Sequence, residues 1–235
     1  MLHSLFDEYR FLHRYPPPYL DKIAKSDIFV FLDCVQFEKN SYINRNQIKT
    51  SQGVQWLTMP VLTKGHLGKT IFDMRVDEGV SWRRKHLASV LHNYKTAPFF
   101  DYGYQRLERL LSMQMGNLGA ICWHHLEFWL REFDIKTRVV RQSELMIGGK
   151  KSDLILNMCV HHQASVYLSG SMGRGYLNIS RFQECGVDVK FQDYSPVRYP
   201  QLWGGFVPRL SVLDYWMNCG PGKLLDKDVE HVIQQ

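Results

Sequence analysis

Five apolar residues in a row, Ile28-Phe29-Val30-Phe31-Leu32, stop abruptly at Asp33. A run of that length without polar alternation predicts a strand buried on both faces, as strands of parallel sheets are. Parallel strands need crossover connections, and the rest of the chain supplies helices for them. Helical patterns are predicted at Tyr19–Lys25, after Pro16-Pro17-Pro18, and at Ser81–Asn93, Tyr104–Met115 and Leu118–Phe133. Further helices are predicted at Lys150–His161, Asn178–Cys185, Pro208–Asn218 and Asp226–Gln234. Strands are predicted at Gln55–Val61, Ile71–Val76, Arg138–Arg141, Ser165–Ser169 and Val187–Phe191. This alternation predicts an α/β fold: a Rossmann-like, mainly parallel sheet flanked by helices, with a helical insertion. The 235 residues suit a single domain over 1–235, with a helical subdomain at about 80–134.

Composition narrows the setting. The five cysteines are scattered and odd in number, with no CxxC pair, which argues against a disulfide framework or a zinc site. Met1–Tyr15 carries Asp7, Glu8, Arg10 and Arg14 and lacks the apolar core of a signal peptide. No apolar run reaches the length of a membrane span, about 18 residues. A cytoplasmic protein without membrane insertion is the expectation. The net charge of +6 favours anionic partners: a nucleotide-sugar or other phosphorylated small molecule, or DNA.

Two segments concentrate groups that bind anions. Ser169-Gly170-Ser171-Met172-Gly173-Arg174-Gly175 follows a predicted strand and precedes a helix. Glycines there let backbone N–H groups approach a phosphate, and Arg174 adds a charge-assisted donor. The Gly-Lys-Ser/Thr ending of a P-loop is missing. The second segment starts at Asp33, where the buried strand ends, the edge at which open α/β sheets bind ligands. Gln36, Asn44, Arg45, Asn46 and Lys49 follow within a short stretch and offer amides, a guanidinium and an ammonium. Asp33 and Asp193 are candidate general bases. Asp214 reads instead as a carrier of a structural hydrogen bond. Arg83-Arg84-Lys85-His86 beside Trp82 forms a basic cluster suited either to a polyphosphate or nucleic-acid backbone or to a solvated helix face. The pairs His124-His125 and His161-His162 point about 100° apart on a helix and do not suit one shared metal, so no metal site is expected.

Several motifs in fixed order resemble the WbqC-like protein family. They include Asp33-Cys34-Val35-Gln36-Phe37, Asn44-Arg45-Asn46, Trp56-Leu57-Thr58, Trp82-Arg83-Arg84-Lys85-His86-Leu87 and Asn93-Tyr94. Later come Leu168-Ser169-Gly170, Tyr176-Leu177, Tyr199-Pro200-Gln201 and Leu210-Ser211-Val212-Leu213-Asp214. In this family an opening strand leads into a His-Gln turn. Here that strand reads as replaced by polar, charged sequence, with His13 the equivalent of the turn histidine. A second similarity is to ATP-dependent ligases of the pantoate–β-alanine ligase type, through Ser169–Gly175 followed by Tyr176-Leu177.

The family resemblance implies a setting in surface-polysaccharide biosynthesis, with amino-acid or acyl groups added to amino sugars. The leading expectation is a transferase or ligase that joins an amine, amino acid or acyl group to an activated phosphorylated or nucleotide-linked substrate. Whether ATP with Mg²⁺ or no cofactor takes part is open. One alternative is an amine transferase acting on phosphoryl-activated bases in DNA, as in phage-type thymine hypermodification. Another is a non-catalytic ligand-binding protein.

Overall fold

The computed structural model describes residues 4–6, 17–192 and 196–222. The predicted terminal helix at Asp226–Gln234, His13 and Asp193 lie outside the described residues. The chain is a mixed α/β fold that divides into two compact units, residues 1–9, 18–34 and 135–195 forming one, and 10–17, 35–134 and 196–235 the other.

The first unit is built on a five-stranded parallel sheet. Its strands are β1 (Ser4–Phe6), β2 (Ile28–Phe31), β5 (Arg138–Arg141), β6 (Val166–Ser169) and β7 (Asp188–Phe191). Their spatial order is β5-β2-β1-β6-β7, and every neighbouring pair is parallel. Ile28, Phe29, Val30 and Phe31 are all buried, as the unbroken apolar run predicts. Helices α1 (Pro17–Ala24), α5 (Ser152–His161) and α6 (Ile179–Glu184) belong to the same unit. The opening of the chain corrects the sequence reading. Ser4–Phe6 is a strand, and it lies at the centre of the sheet, paired with β2 through Leu5 and Ile28 and with β6 through Ser4 and Val166. Three residues are too few to show periodicity, so pairing from both sides decides what local pattern cannot.

The second unit carries an antiparallel hairpin, β3 (Arg45–Thr50) and β4 (Gly53–Thr58), turning at Ser51-Gln52 with Gly53 at φ 106°. The sequence reading missed β3, whose residues RNQIKT are mostly polar. It expected a strand at Ile71–Val76, where the structure has turns and isolated bridges, Val61 to Val76 and Arg75 to Asn117. Helices α2 (Trp82–Tyr94), α3 (Phe100–Ser112), α4 (Leu118–Glu132) and α7 (Val212–Cys219) complete the unit. Helix α2 packs on α3, α3 on α7, and α7 on β3. Edge-to-face rings hold the centre: Trp216 meets Trp129 at 5.2 Å and Phe128 at 5.7 Å between centroids. Glu132 is buried but paired, accepting two bonds from Arg106 and one from the Tyr102 hydroxyl.

Two histidines sit inside this unit. His86 bonds the Thr58 carbonyl through Nε2 at 3.1 Å, and His125 is buried in α4. Burial pulls His86 down to about 4 and His125 down to about 3, from an ordinary 6.5. Below pH 6.5 the unfolded chain therefore binds protons that the folded chain refuses. Stability is full above that pH and falls as pH drops toward 3–4, each histidine contributing a slope approaching about 1.4 kcal/mol per pH unit. Denaturant midpoints should decline from pH 7.5 to 5, and His86→Gln or His125→Gln should each flatten the decline. An unchanged slope in both variants would contradict this account.

Candidate functional site at the carboxyl edge of the sheet

All five strands of the first unit run the same way, so the residues that follow them share one edge. Asp33 follows β2, Gln142 follows β5, Ser169 ends β6 and Gln192 follows β7. Chain progression reverses at the centre of this sheet: from β1 it moves out to β2 and then β5, returns across β1 to β6 and continues to β7. In open α/β sheets, the carboxyl edge at such a reversal is where ligands bind.

Asp33 is 2% exposed and its carboxylate is fully engaged. Oδ1 accepts the Ser143 backbone N–H at 2.9 Å and the Cys34 thiol at 3.6 Å, and Oδ2 accepts the Ser143 hydroxyl at 2.7 Å. It thereby ties the end of β2 to the 3-10 turn Gln142–Glu144 that follows β5. Across β1, Ser169 is buried, and the segment Ser171–Gly175 folds as a 3-10 turn. That turn uses amides for itself: Gly173 N–H donates to the Gly170 carbonyl, and Tyr176 and Leu177 N–H donate to the Gly173 carbonyl. Gly173 is required for a steric reason. A Cβ there would fall 2.0 Å from Ser169 Oγ and 3.0 Å from Leu177 Cδ1. Arg174 and Tyr176 are exposed. The Arg174 guanidinium lies 4.1 Å over the Phe191 ring at the end of β7, and among the described residues it has no ion-pair partner.

The residues expected at 36–49 belong to the second unit, so Asp33 and the Ser169–Gly175 loop are the predicted site residues that one sheet edge brings together. Gln36 is exposed at an isolated bridge to Thr70. Asn44 Nδ2 donates to the Met59 carbonyl at 2.7 Å, and Asn46 Oδ1 accepts Gln47 N–H at 2.6 Å. Arg45 stacks 4.3 Å over Trp56 and donates to the Asn40 carbonyl. Lys49, 3% exposed, donates through Nζ to Gln201 Oε1 and to the Gly204 and Gly205 carbonyls. The basic cluster also thins. Arg83 pairs with Glu78 and lies over Trp82, and His86 is buried, which leaves Arg84 and Lys85 in solvent.

A buried polar network runs through the same unit. Asp214, 0% exposed, accepts the Tyr94 hydroxyl at 2.6 Å and the Tyr199 hydroxyl at 2.8 Å. Tyr94 in turn accepts the Lys49 backbone N–H at 3.0 Å. Burial holds the Asp214 carboxyl above the usual range, while the two hydroxyls and the Lys49 charge pull it back. Burial, with the Asp214 charge, pushes both phenols well above their ordinary value, so both remain donors. Cys219 is pushed up to about 12, by burial first and then by Asp214, which removes it as a nucleophile. The structural role read for Asp214 is what the geometry shows. Its partners Tyr94 and Tyr199 stood in the motifs Asn93-Tyr94 and Tyr199-Pro200-Gln201, but their convergence on one carboxylate is tertiary and left no local signal.

Two consequences are measurable. Tyr199→Phe removes a hydrogen bond to a buried carboxylate and should cost about 1.5–3 kcal/mol of stability, read as a lower denaturant midpoint. Gly173→Ala should cost about 1–3 kcal/mol by overpacking, and adding Ser169→Ala should restore most of it. Equal instability in the single and double variants would show that Ser169 Oγ is not what excludes a side chain at 173.

The sequence profile of the WbqC-like protein family matches residues 15–225. The uncharacterized protein Rv1507c of Mycobacterium tuberculosis is 35% identical over 204 residues, spanning 86% of this chain and 88% of that protein. No solved structure matches the chain significantly. Among the described residues no helix is long and apolar enough to cross a membrane. With matched motifs along nearly its whole length, the chain belongs to the WbqC-like protein family.

Proposed function

We propose that this protein is a transferase or ligase that joins an amine or amino acid to an activated, phosphorylated substrate held at the carboxyl edge of its parallel sheet. A nucleotide-linked amino sugar destined for surface polysaccharide is the substrate class that fits the family setting. The observation that carries the reading is the strand order β5-β2-β1-β6-β7. Numbered along the sheet-forming strands alone, this is the order 3-2-1-4-5 of Rossmann-like folds, which bind nucleotides at the reversal between the first and fourth strands. The crossovers from β1 to β2 and from β6 to β7 run in opposite directions along the sheet, and the right-handed rule for parallel connections would put their helices on opposite faces, which supports a doubly wound reading.

In this reading the loop Ser169–Tyr176 seats the phosphate group. Arg174, exposed and without an ion pair among the described residues, supplies the balancing charge. Ser169 and Gly173 set the shape of the turn that carries it. The amine's ammonium form gives its proton to the carboxylate of Asp193, because that of Asp33 is buried and already engaged by Ser143 and Cys34. The nitrogen lone pair then forms the new bond to the electrophilic carbon, and the phosphate leaves with the electron pair of the bond that breaks. Asp33 is instead a positioning residue, because its bonds to Ser143 fix the two loops bordering the edge.

The test uses pyrophosphate and a nucleoside diphosphate as probes, followed by mass spectrometry of mixtures containing nucleotide-sugars, ATP and amino acids. Arg174→Ala should weaken probe binding about 10- to 100-fold, the loss of one charge-assisted bond, without shifting the unfolding midpoint. Wild-type affinity in Arg174→Ala would remove this loop from the site.

A further inference from the structure

The hairpin of the second unit has one edge closed and one edge open. On β3, the Lys49 N–H donates to the Tyr94 hydroxyl and the Gln47 C=O accepts the Ser211 N–H, so these groups point away from β4. Residue pairs in an antiparallel ladder alternate between those that exchange bonds and those that do not. Lys49↔Val54 and Gln47↔Trp56 are therefore non-bonded pairs, and Val54 and Trp56 turn their own N–H and C=O to the far edge of β4. Thr58 has the same phase, and its C=O accepts His86 Nε2 on that side. Among the described residues, nothing bonds the backbone groups of Val54 or Trp56 on the far edge.

A row of free backbone donors and acceptors recognises another strand, and proteins ordinarily guard such an edge with charge, proline or a bulge. Here none is present. Gly53–Thr58 contains no charged residue and no proline, and its register with β3 is continuous. Val54, Gln55 and Trp56 are exposed in succession, which leaves the strand open to a neighbour. The open stretch is also complementary to itself. A second β4 laid antiparallel about a two-fold axis at Gln55 sets Val54 opposite Trp56 of the other copy, and Trp56 opposite Val54. Both are then bonded pairs, each exchanging N–H···O=C bonds in both directions, and every free group of Val54 and Trp56 is satisfied. The two side chains, 43% and 37% exposed, lie on one face of the strand. Each bonded pair thus sets a β-branched side chain beside an aromatic ring, a favourable cross-strand combination. Arg45 over the Trp56 ring and Tyr42 5.3 Å from it hold that ring in place.

We propose that β4 is a homodimer interface, in which two copies of the chain pair antiparallel through Val54–Trp56 about a two-fold axis at Gln55. The surface lies within the second unit and is independent of the proposed chemistry at the parallel sheet. Sedimentation velocity on the full chain over a concentration series should show reversible dimerisation. The register places the two Gln55 side chains directly opposite each other as a non-bonded pair, where side chains approach most closely. Gln55→Lys and Gln55→Glu should therefore each stay monomeric at concentrations where the wild type dimerises, because like charges then face each other. An equal mixture of the two variants should recover the dimer as a heterodimer. Both substitutions are at an exposed side chain, so their unfolding midpoints should match the wild type. Val54→Pro removes an outward N–H, spares the bonds to β3 and should also abolish the dimer. The two charge variants carry the test should Val54→Pro fold poorly. A wild type monomeric at every concentration, which would leave the edge to a strand of another protein, would overturn the proposal. So would dimers that persist in both charge variants, or a mixture no more associated than its components.

Discussion

A carboxylate with no exposed surface organises the second unit. Leaving Asp214 buried and unpaired would cost several kcal/mol, so its two tyrosine partners and the nearby Lys49 charge are conditions for folding. Those partners come from separate elements: Tyr94 from the end of α2, Lys49 from β3, and Tyr199 from the segment before α7. Satisfying one buried charge therefore fixes the mutual placement of hairpin, helix and loop. The same Lys49 extends the arrangement outward by gripping the carbonyls of Gly204 and Gly205. A surface loop is thus held by a bond whose other end lies in the core.

The first unit depends on a different constraint. Strand β1 has three residues, yet it pairs on both sides and separates β2 from β6. Without it the sheet would fall into two pairs, and the reversal in strand order would lose its centre. Asp33 and the Ser169–Gly175 loop take their common edge from that strand. Each is locally well braced, Asp33 by Ser143 and the loop by the contact between Gly173 and Ser169. Braced loops at a sheet edge suit a binding site, because little ordering remains to be done when ligand arrives.

Much of the fold was legible because buried strands and amphipathic helices write their environment into composition. The run Ile28–Leu32 and the stretches at Arg138–Arg141 and Val187–Phe191 gave strands where the structure has them. Polar β3 was not legible: RNQIKT lacks a strand's composition, and its pairing with β4 and the Tyr94 bond to Lys49 N–H hold it in place. Ser4–Phe6 was too short to read. The Ile71–Val76 expectation followed apolar residues that reach the core through turns. For the site, position was easier to read than role. Asp33 was found as a strand end, but its full engagement with Ser143 depends on a residue 110 positions away. Lys49 looked like a phosphate ligand because a lone sequence cannot show three carbonyl-type acceptors gathering around its ammonium.

The most direct test of the sheet edge as a substrate site is a backbone amide map by nuclear magnetic resonance during titration with a nucleoside diphosphate. The account predicts shifts concentrated at Ser169–Leu177 and at Asp33 and Ser143, saturating together with one affinity. Saturable shifts confined to other residues, with 169–177 silent, would contradict it.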